Sequence, residues 1–254
     1  LPFSSRLVRR THAVLMKGVR GQHKAPGTYR TSQNWIGGGN LRSASFTPPP
    51  HTYVSELMGD LELFANDDRN PMPDLLKVAL IHYQLETIHP FLDGNGRVGR
   101  LLITLYLIDR KIVTQPVLYL SAYFERHRQM YYDRLMAVRE QHDLLGWFHF
   151  FLDGVLDTAT TGVETFRSII HLRNGLEAKL TKLGSRQGNA QRLLTHMFSQ
   201  PVVAVNEVAS VLGSSTPTAY ALVNGLEKLG VLEEITGGKR GKLYAMHEYL
   251  ALFE

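Results

Sequence analysis

From residue 54 to about 183, apolar residues recur with a period of 3.6: Leu57, Leu61 and Phe64; Leu75, Leu76, Ala79, Leu80 and Tyr83; Leu101, Leu102, Leu105 and Ile108. That spacing puts one apolar stripe on each successive helix, and such stripes are satisfied only by packing against one another. A mainly α helical bundle with short connectors is therefore expected. Pro73 and Asp74 mark a helix start. The longest apolar stretch, residues 101–108 interrupted by Thr104, falls well short of the roughly 20 residues that span a bilayer. No transmembrane helix and no membrane partner are expected.

The flanks read differently. Residues 1 to about 50 combine one amphipathic segment (Leu7, Val8, Val14, Leu15) with connectors, and 32–50, holding Gly37, Gly38, Gly39 and Pro48, Pro49, Pro50, reads as an exposed hairpin or loop. The polar run TKLGSRQGN at 181–189 reads as a linker. Helical patterns follow at 190–199, 206–212 and 216–229, then strand-like runs at 231–236 and 243–246 joined by Gly237, Gly238, Lys239, Arg240 and Gly241. Helix, helix, turn, helix and two-stranded wing is the winged-helix order, a small α+β domain. The expected division is a first domain over 1–160, a connecting helix and linker over 161–185, and a winged helix over 186–254.

The 254 residues are 44% hydrophobic and 20% charged, which suits one large or two smaller globular domains. With no cysteine, disulfides, thiolate nucleophiles and Cys-ligated zinc are excluded, and a cytoplasmic location is the expectation. The formal net charge of +5 is unevenly placed: residues 1–55 carry eight bases and no acid, while the remaining residues carry 20 bases and 23 acids. Residues 186–254 hold six bases and six acids. Duplex DNA is bound largely through phosphate neutralisation, so DNA is a disfavoured partner for the winged helix, and protein contact is favoured.

One stretch carries chemistry: His-Pro-Phe-Leu-Asp-Gly-Asn-Gly-Arg-Val-Gly-Arg at 89–100, between two amphipathic helices. Gly94, Asn95 and Gly96 stand just before an apolar-periodic helix, where backbone N–H groups and the positive helix end can meet phosphate oxygens. Asp93 beside such an anion site suits Mg2+, with phosphate and water completing the shell. Arg97 and Arg100, three apart, are expected to face one side and clamp further phosphates. His89, four residues before Asp93, can accept a hydroxyl proton at neutral pH. Singly, each feature has an ordinary structural explanation, a helix-end histidine or a turn; together they point to nucleotide chemistry. Phe91 is expected to anchor the loop in the core.

These twelve residues match the Fic signature HxFx(D/E)GNGRxxR at every fixed position, and GVRG at 18–21, SQNWIGG at 32–38, FTPPP at 46–50 and LYLSAYFERHRQMYYDRL at 118–135 look like family segments. The chain thus resembles the Fic (Fido) family of protein adenylyltransferases, with a Fic-type bundle, a hairpin flap at about 32–47 and the motif at 89–100. The resemblance implies that His89 deprotonates a Ser, Thr or Tyr hydroxyl of a target protein, which attacks ATP, leaving AMP on the target and also on the chain itself. It implies Asp93 on Mg2+ (or Mn2+), and Gly94, Asn95, Gly96, Arg97, Val98, Gly99 and Arg100 around the phosphates. Flap residues Asn34, Trp35, Ile36 and Gly37 would lie near nucleotide and target, which adds a strand to the flap edge; the alternative for Trp35 is a core position. Tyr131 and Tyr132 resemble adenine-pocket residues, with core packing as the alternative, and His127 replaces an expected Asn. Many relatives carry an inhibitory [S/T]xxxE[G/N] helix. No Glu here precedes Gly or Asn, so the segment starting at Leu1 is expected to lack that brake and leave Arg100 free. A homodimer is a further expectation. Two other readings stay open: a DNA-binding winged-helix regulator with a degenerate Fic core, and a Fic enzyme using another nucleotide donor.

Overall fold

A computed structural model describes residues 2–18, 24–69, 72–238 and 241–253. Most of the GVRG segment and the wing bases Lys239 and Arg240 lie outside them. The chain divides into two compact units, Leu1–Thr160 and Thr161–Glu254.

Unit 1 is built from helices α1 (Ser5–Leu15), α2 (Val54–Asn66), α3 (Asp74–Ile88), α4 (Asn95–Asp109), α5 (Ser121–Arg126), α6 (Arg128–Gln141) and the start of α7 (Leu144–Leu180). α1 begins where the Ser4 hydroxyl accepts the Leu7 N–H at 3.2 Å. α3 begins at Asp74 after Pro73, as the sequence predicts. It is the central helix, burying Val78, Ala79, Ile81, His82, Leu85, Glu86 and Ile88, so its pattern is less one-sided than a surface helix would show. Trp147, fully buried, donates its indole N–H to the Ala79 carbonyl at 3.0 Å, which satisfies the polar edge of a large core side chain.

The expected hairpin at 32–47 is present with less strand than foreseen. Ile36 and Phe46 form one isolated antiparallel bridge. Between them Asn40 caps a 3-10 turn, Leu41–Ser43, accepting from Arg42 N and Ser43 N at 3.0 and 3.1 Å. Gly38 has φ +69°, and a Cβ there would lie 2.1 Å from the Ser43 carbonyl oxygen, so the return of the chain requires glycine.

Unit 2 has its own core. Leu172, Leu176 and Leu180 of α7 pack with α8 (Gln187–Met197), α9 (Val205–Leu212) and α10 (Thr216–Lys228). The antiparallel sheet runs β1-β3-β2, with β1 Val202–Ala204, β2 Glu233–Glu234 and β3 Leu243–Ala245, and a short helix, α11 (His247–Leu250), follows. Three expectations need correction. The stretch at 181–189 is not a free linker: it forms a 3-10 segment, Thr181–Arg186, that buries Leu183, and α8 starts by Gln187. The connecting helix is likewise part of this core. The sheet also has a third strand, β1, whose Val203 faces Tyr244; three residues are too few for a periodic signal.

Gly184 has φ +55° and ψ −125°, with no atom within 4 Å of an added Cβ. Gly184→Ala therefore tests backbone strain alone and should cost about 1–3 kcal/mol. Amide exchange should quicken in 181–197 and stay unchanged in α3 and α4.

Candidate functional site

His89 closes α3 in the left-handed region, φ +51° and ψ 59°, a conformation unusual for a side-chain-bearing residue. Its N–H donates to Leu85 O at 2.9 Å and its carbonyl accepts from Arg30 Nε at 3.0 Å. Arg30, itself buried, also donates to the carbonyls of Ser32, Pro49 and Ile88. One guanidinium thus ties both roots of the flap to the end of α3.

The loop after His89 is closed by Asn95. Its Oδ1 accepts from Phe91 N and its Nδ2 donates to Phe91 O, both at 2.8 Å. Phe91 is fully buried, as expected, and stacks on His12 with ring centroids 3.8 Å apart. His12 Nδ1 accepts from Gly27 N at 2.8 Å, so Nε2 carries the proton given to Asp93 O at 2.9 Å. Gly94 then takes φ +82° and α4 begins with no side-chain cap. The first N–H groups of an uncapped helix are unsatisfied donors with a positive field.

Around this helix end the expected residues separate into two sets. Asp93 is exposed, its Oδ1 accepting Gly94 N at 2.6 Å and lying 3.8 Å from Arg97 Nη2. No group of three or more His, Cys, Asp or Glu that could hold a metal occurs among the described residues. One carboxylate beside bare amides fits a Mg2+ whose other ligands are phosphate and water. Both arginines lie against the glycine turn: Arg97 beside Gly94 and Met16 Sδ, the latter at 3.2 Å, and Arg100 beside Gly96, on the side of Glu86 and His82. Val98 is fully buried in the core, and an added Cβ at Gly99, also buried, would meet Glu86 Oε1 at 2.7 Å and His82 at 3.1 Å. The Val98 N–H is spent within the helix on Gly94 O, at 3.0 Å. The Asn95 side chain is spent on Phe91, which leaves its backbone N–H for a ligand.

The flap residues and tyrosines divide similarly. Asn34 Nδ2 donates to Phe91 O at 3.0 Å while its Oδ1 is buried with no partner. Trp35 is 44% exposed, against a core position, and Ile36 and Gly37 form the bridge and the turn after it. Tyr131 is buried, its hydroxyl 2.9 Å from His82 Nε2, so it is a core residue and not an open pocket wall; Tyr132 is half-exposed. His127 sits at the break between α5 and α6, its ring 4.5 Å from that of Tyr123.

Burial lowers His89 to about 4, with Arg30 and Arg139 adding to the effect, and raises Glu86 to about 7 against the pull of Arg100 and Arg139. His89 is therefore neutral at physiological pH, the state a proton acceptor needs. Sequence reasoning passed over His12, Arg30, Glu86 and Arg139. Only Glu86, one turn before His89, had a local signal. Arg139 reaches the site from α6, its guanidinium 3.6 Å above the Phe46 ring and its Nη2 3.4 Å from Glu86 O.

Two stability measurements check this geometry. Asn95→Ala orphans the buried Phe91 N–H and leaves the Phe91 carbonyl to Asn34 alone, and should cost about 1–3 kcal/mol in urea unfolding. Fully buried His82 is also lowered to about 4 by burial. In the unfolded chain imidazoles take up protons near 6.5, so the histidines lose stability as pH falls from there towards 4. Glu86 runs the other way: its contribution is full below 4.5 and lost as pH rises through about 7. Between pH 6.5 and 4.5 Glu86 offsets His89, leaving His82, so the loss in His82→Leu should be smaller than in the unsubstituted protein by about 2–3 kcal/mol.

Residues 2–107 match the family model described as Fic/DOC family. The protein adenylyltransferase Fic of Aedes aegypti is 31% identical over 185 residues, 66% of this chain and 34% of that protein. The protein adenylyltransferase fic-1 of Caenorhabditis briggsae is 37% identical over 83 residues, 32% of this chain and 15% of that protein. The chain thus spans about a third or less of these curated relatives. A crystal structure of a Fic family protein from Desulfovibrio desulfuricans shares the fold, with a TM-score of 0.56 at 23% identity, covering 95% of this chain and 68% of that one. Over residues 2–107, then, the chain is similar to the Fic/DOC family.

Proposed function

We propose that the chain is a protein adenylyltransferase that moves AMP from ATP to a hydroxyl of a target protein. The observation that carries this reading is the uncapped start of α4, with Asp93 beside it and His89, neutral and 18% exposed at its side chain, at the other end of the same short loop. The names of the relatives support it. The bare amides of Asn95 and Gly96 suit the charge on the α- and β-phosphates, and Arg97 and Arg100 approach the polyphosphate from two flanks. His89 takes the hydroxyl proton as the oxygen bonds the α-phosphorus. The bond to the β-phosphate oxygen breaks, and pyrophosphate leaves with its electron pair. Asp93 would hold Mg2+, which supplies charge neutralisation between those phosphates. The flap, tied down by Arg30 and Asn34, is the surface for the target segment.

We read residues 186–254 as a winged helix, supported by the order α8, β1, α9, α10, β2, β3. Its six bases against six acids favour a protein contact over DNA.

Incubation with Mg2+, cell lysate and ATP labelled at either the α- or the γ-phosphate tests the activity. Transfer of α-label, reduced about 100-fold or more in His89→Ala, is expected. Transfer of γ-label alone would sink the reading.

A further inference from the structure

Two buried polar atoms behind the site, His89 Nδ1 and Glu86 Oε1, have no hydrogen-bond partner. The other carboxyl oxygen of Glu86, Oε2, stands 3.9 Å from His89 Nδ1. That is too long for a hydrogen bond. It is not an ion pair at physiological pH, since His89 is held down and neutral. The carboxyl has room because α4 presents no side chain at Gly99. A buried carboxyl oxygen left unmatched costs about 1–3 kcal/mol. Two imidazoles of its own helix face the carboxyl: His82, one turn before, whose Nδ1 also lacks a partner and packs with Oε1 against Gly99, and His89, one turn after, on the Oε2 side.

We propose that Glu86 is the positioning residue for His89: its carboxylate accepts the Nδ1 proton, fixing the Nδ1–H tautomer and leaving Nε2 as the proton acceptor. The role rests on the reading of His89 as the base. When the target hydroxyl gives its proton to Nε2, Nδ1–H stays on Glu86, which remains ionised and stabilises the imidazolium. A protonated Glu86 does the reverse. It donates to Nδ1 and forces the ring proton onto Nε2, which removes the acceptor.

The groups facing this pair are Arg100 from α4, Arg139 and Tyr131 from α6, His82 within α3, and Arg30 and Asp93 on the His89 side. Arg100 and Arg139 favour the ionised carboxyl and burial opposes it, which brings the exchange between the two forms to near pH 7. The backbone carbonyl of Glu86 is the competing acceptor for the His89 ring.

The 254-residue chain labelled with 15N-histidine tests the assignment by long-range 1H–15N NMR, with His89→Gln identifying the resonance. At pH 8 His89 should be the Nδ1–H tautomer, and it should move to Nε2–H as pH falls through 7. That transition should vanish in Glu86→Gln, which keeps the side-chain shape, and in Glu86→Leu. The kcat for AMP transfer should fall on the acid side of pH 7, and this limb should be missing in Glu86→Gln. Glu86→Leu should lose about 10²-fold in kcat with KM for ATP unchanged. An unaltered tautomer and pH course in both variants would give control to the backbone carbonyl and overturn the proposal. If the tautomer behaves as stated while no AMP is transferred, Glu86 keeps its role and the reading as an adenylyltransferase falls.

Discussion

The site depends on one side chain turned back on its own loop. By taking both the N–H and the carbonyl of Phe91, Asn95 closes the connection between α3 and α4 from within, while Arg30, Asn34 and His12 take its other carbonyl bonds from outside. Everything near the chemistry hangs from that closure. It plants Phe91 in the core, lets His12 stack on that ring, and starts α4 with its amides bare. Backbone groups in a buried turn must be paired somewhere. Here Asn95, Arg30, Asn34 and His12 do the pairing between them, and none of them caps the start of α4.

Charge around the loop is handled by cations that reach in from far along the chain. Arg30 takes carbonyls at both flap roots and at the end of α3, and Arg139 lies over Phe46 while touching the last turn of α3. Both are partly stripped of water, which lowers their own pKa through burial. The same burial acts on their neighbours in opposite senses. It keeps His89 neutral and pushes a proton onto Glu86, so two groups one turn apart titrate on either side of their ordinary order. Separated environments of this kind are how adjacent titratable groups come to have different jobs.

The sequence made the helices of unit 1 legible because apolar period and Pro73 agree, and the motif marked His89, Asp93 and the glycine turn. It could not separate the motif residues that face outward from those that face the core. Val98 and Gly99 belong to the same twelve letters as Arg97, yet a helix turns its residues by about 100° each, and only packing decides which side is solvent. Tyr131 and Tyr132 show the same limit, adjacent letters with one ring in the core and one at the surface. In unit 2 the missed strand β1 has three residues and is defined by its partner, β3, about forty residues later. Arg30 and Arg139 were invisible for the related reason that their partners at the site, Pro49, Ile88 and His89 for one and Phe46 and Glu86 for the other, lie far along the chain.

Gly99 has a practical consequence for anyone who dissects this site by substitution. A glycine in a phosphate-binding pattern is ordinarily taken as room left for the ligand, but the space beside this one is filled from behind, by the carboxyl of Glu86 and the ring of His82. An alanine scan that found Gly99 indispensable would therefore be reporting the fit of two helices. Any loss it recorded would come from moving the Glu86 carboxyl and the His82 ring, not from a methyl group standing where a ligand should sit.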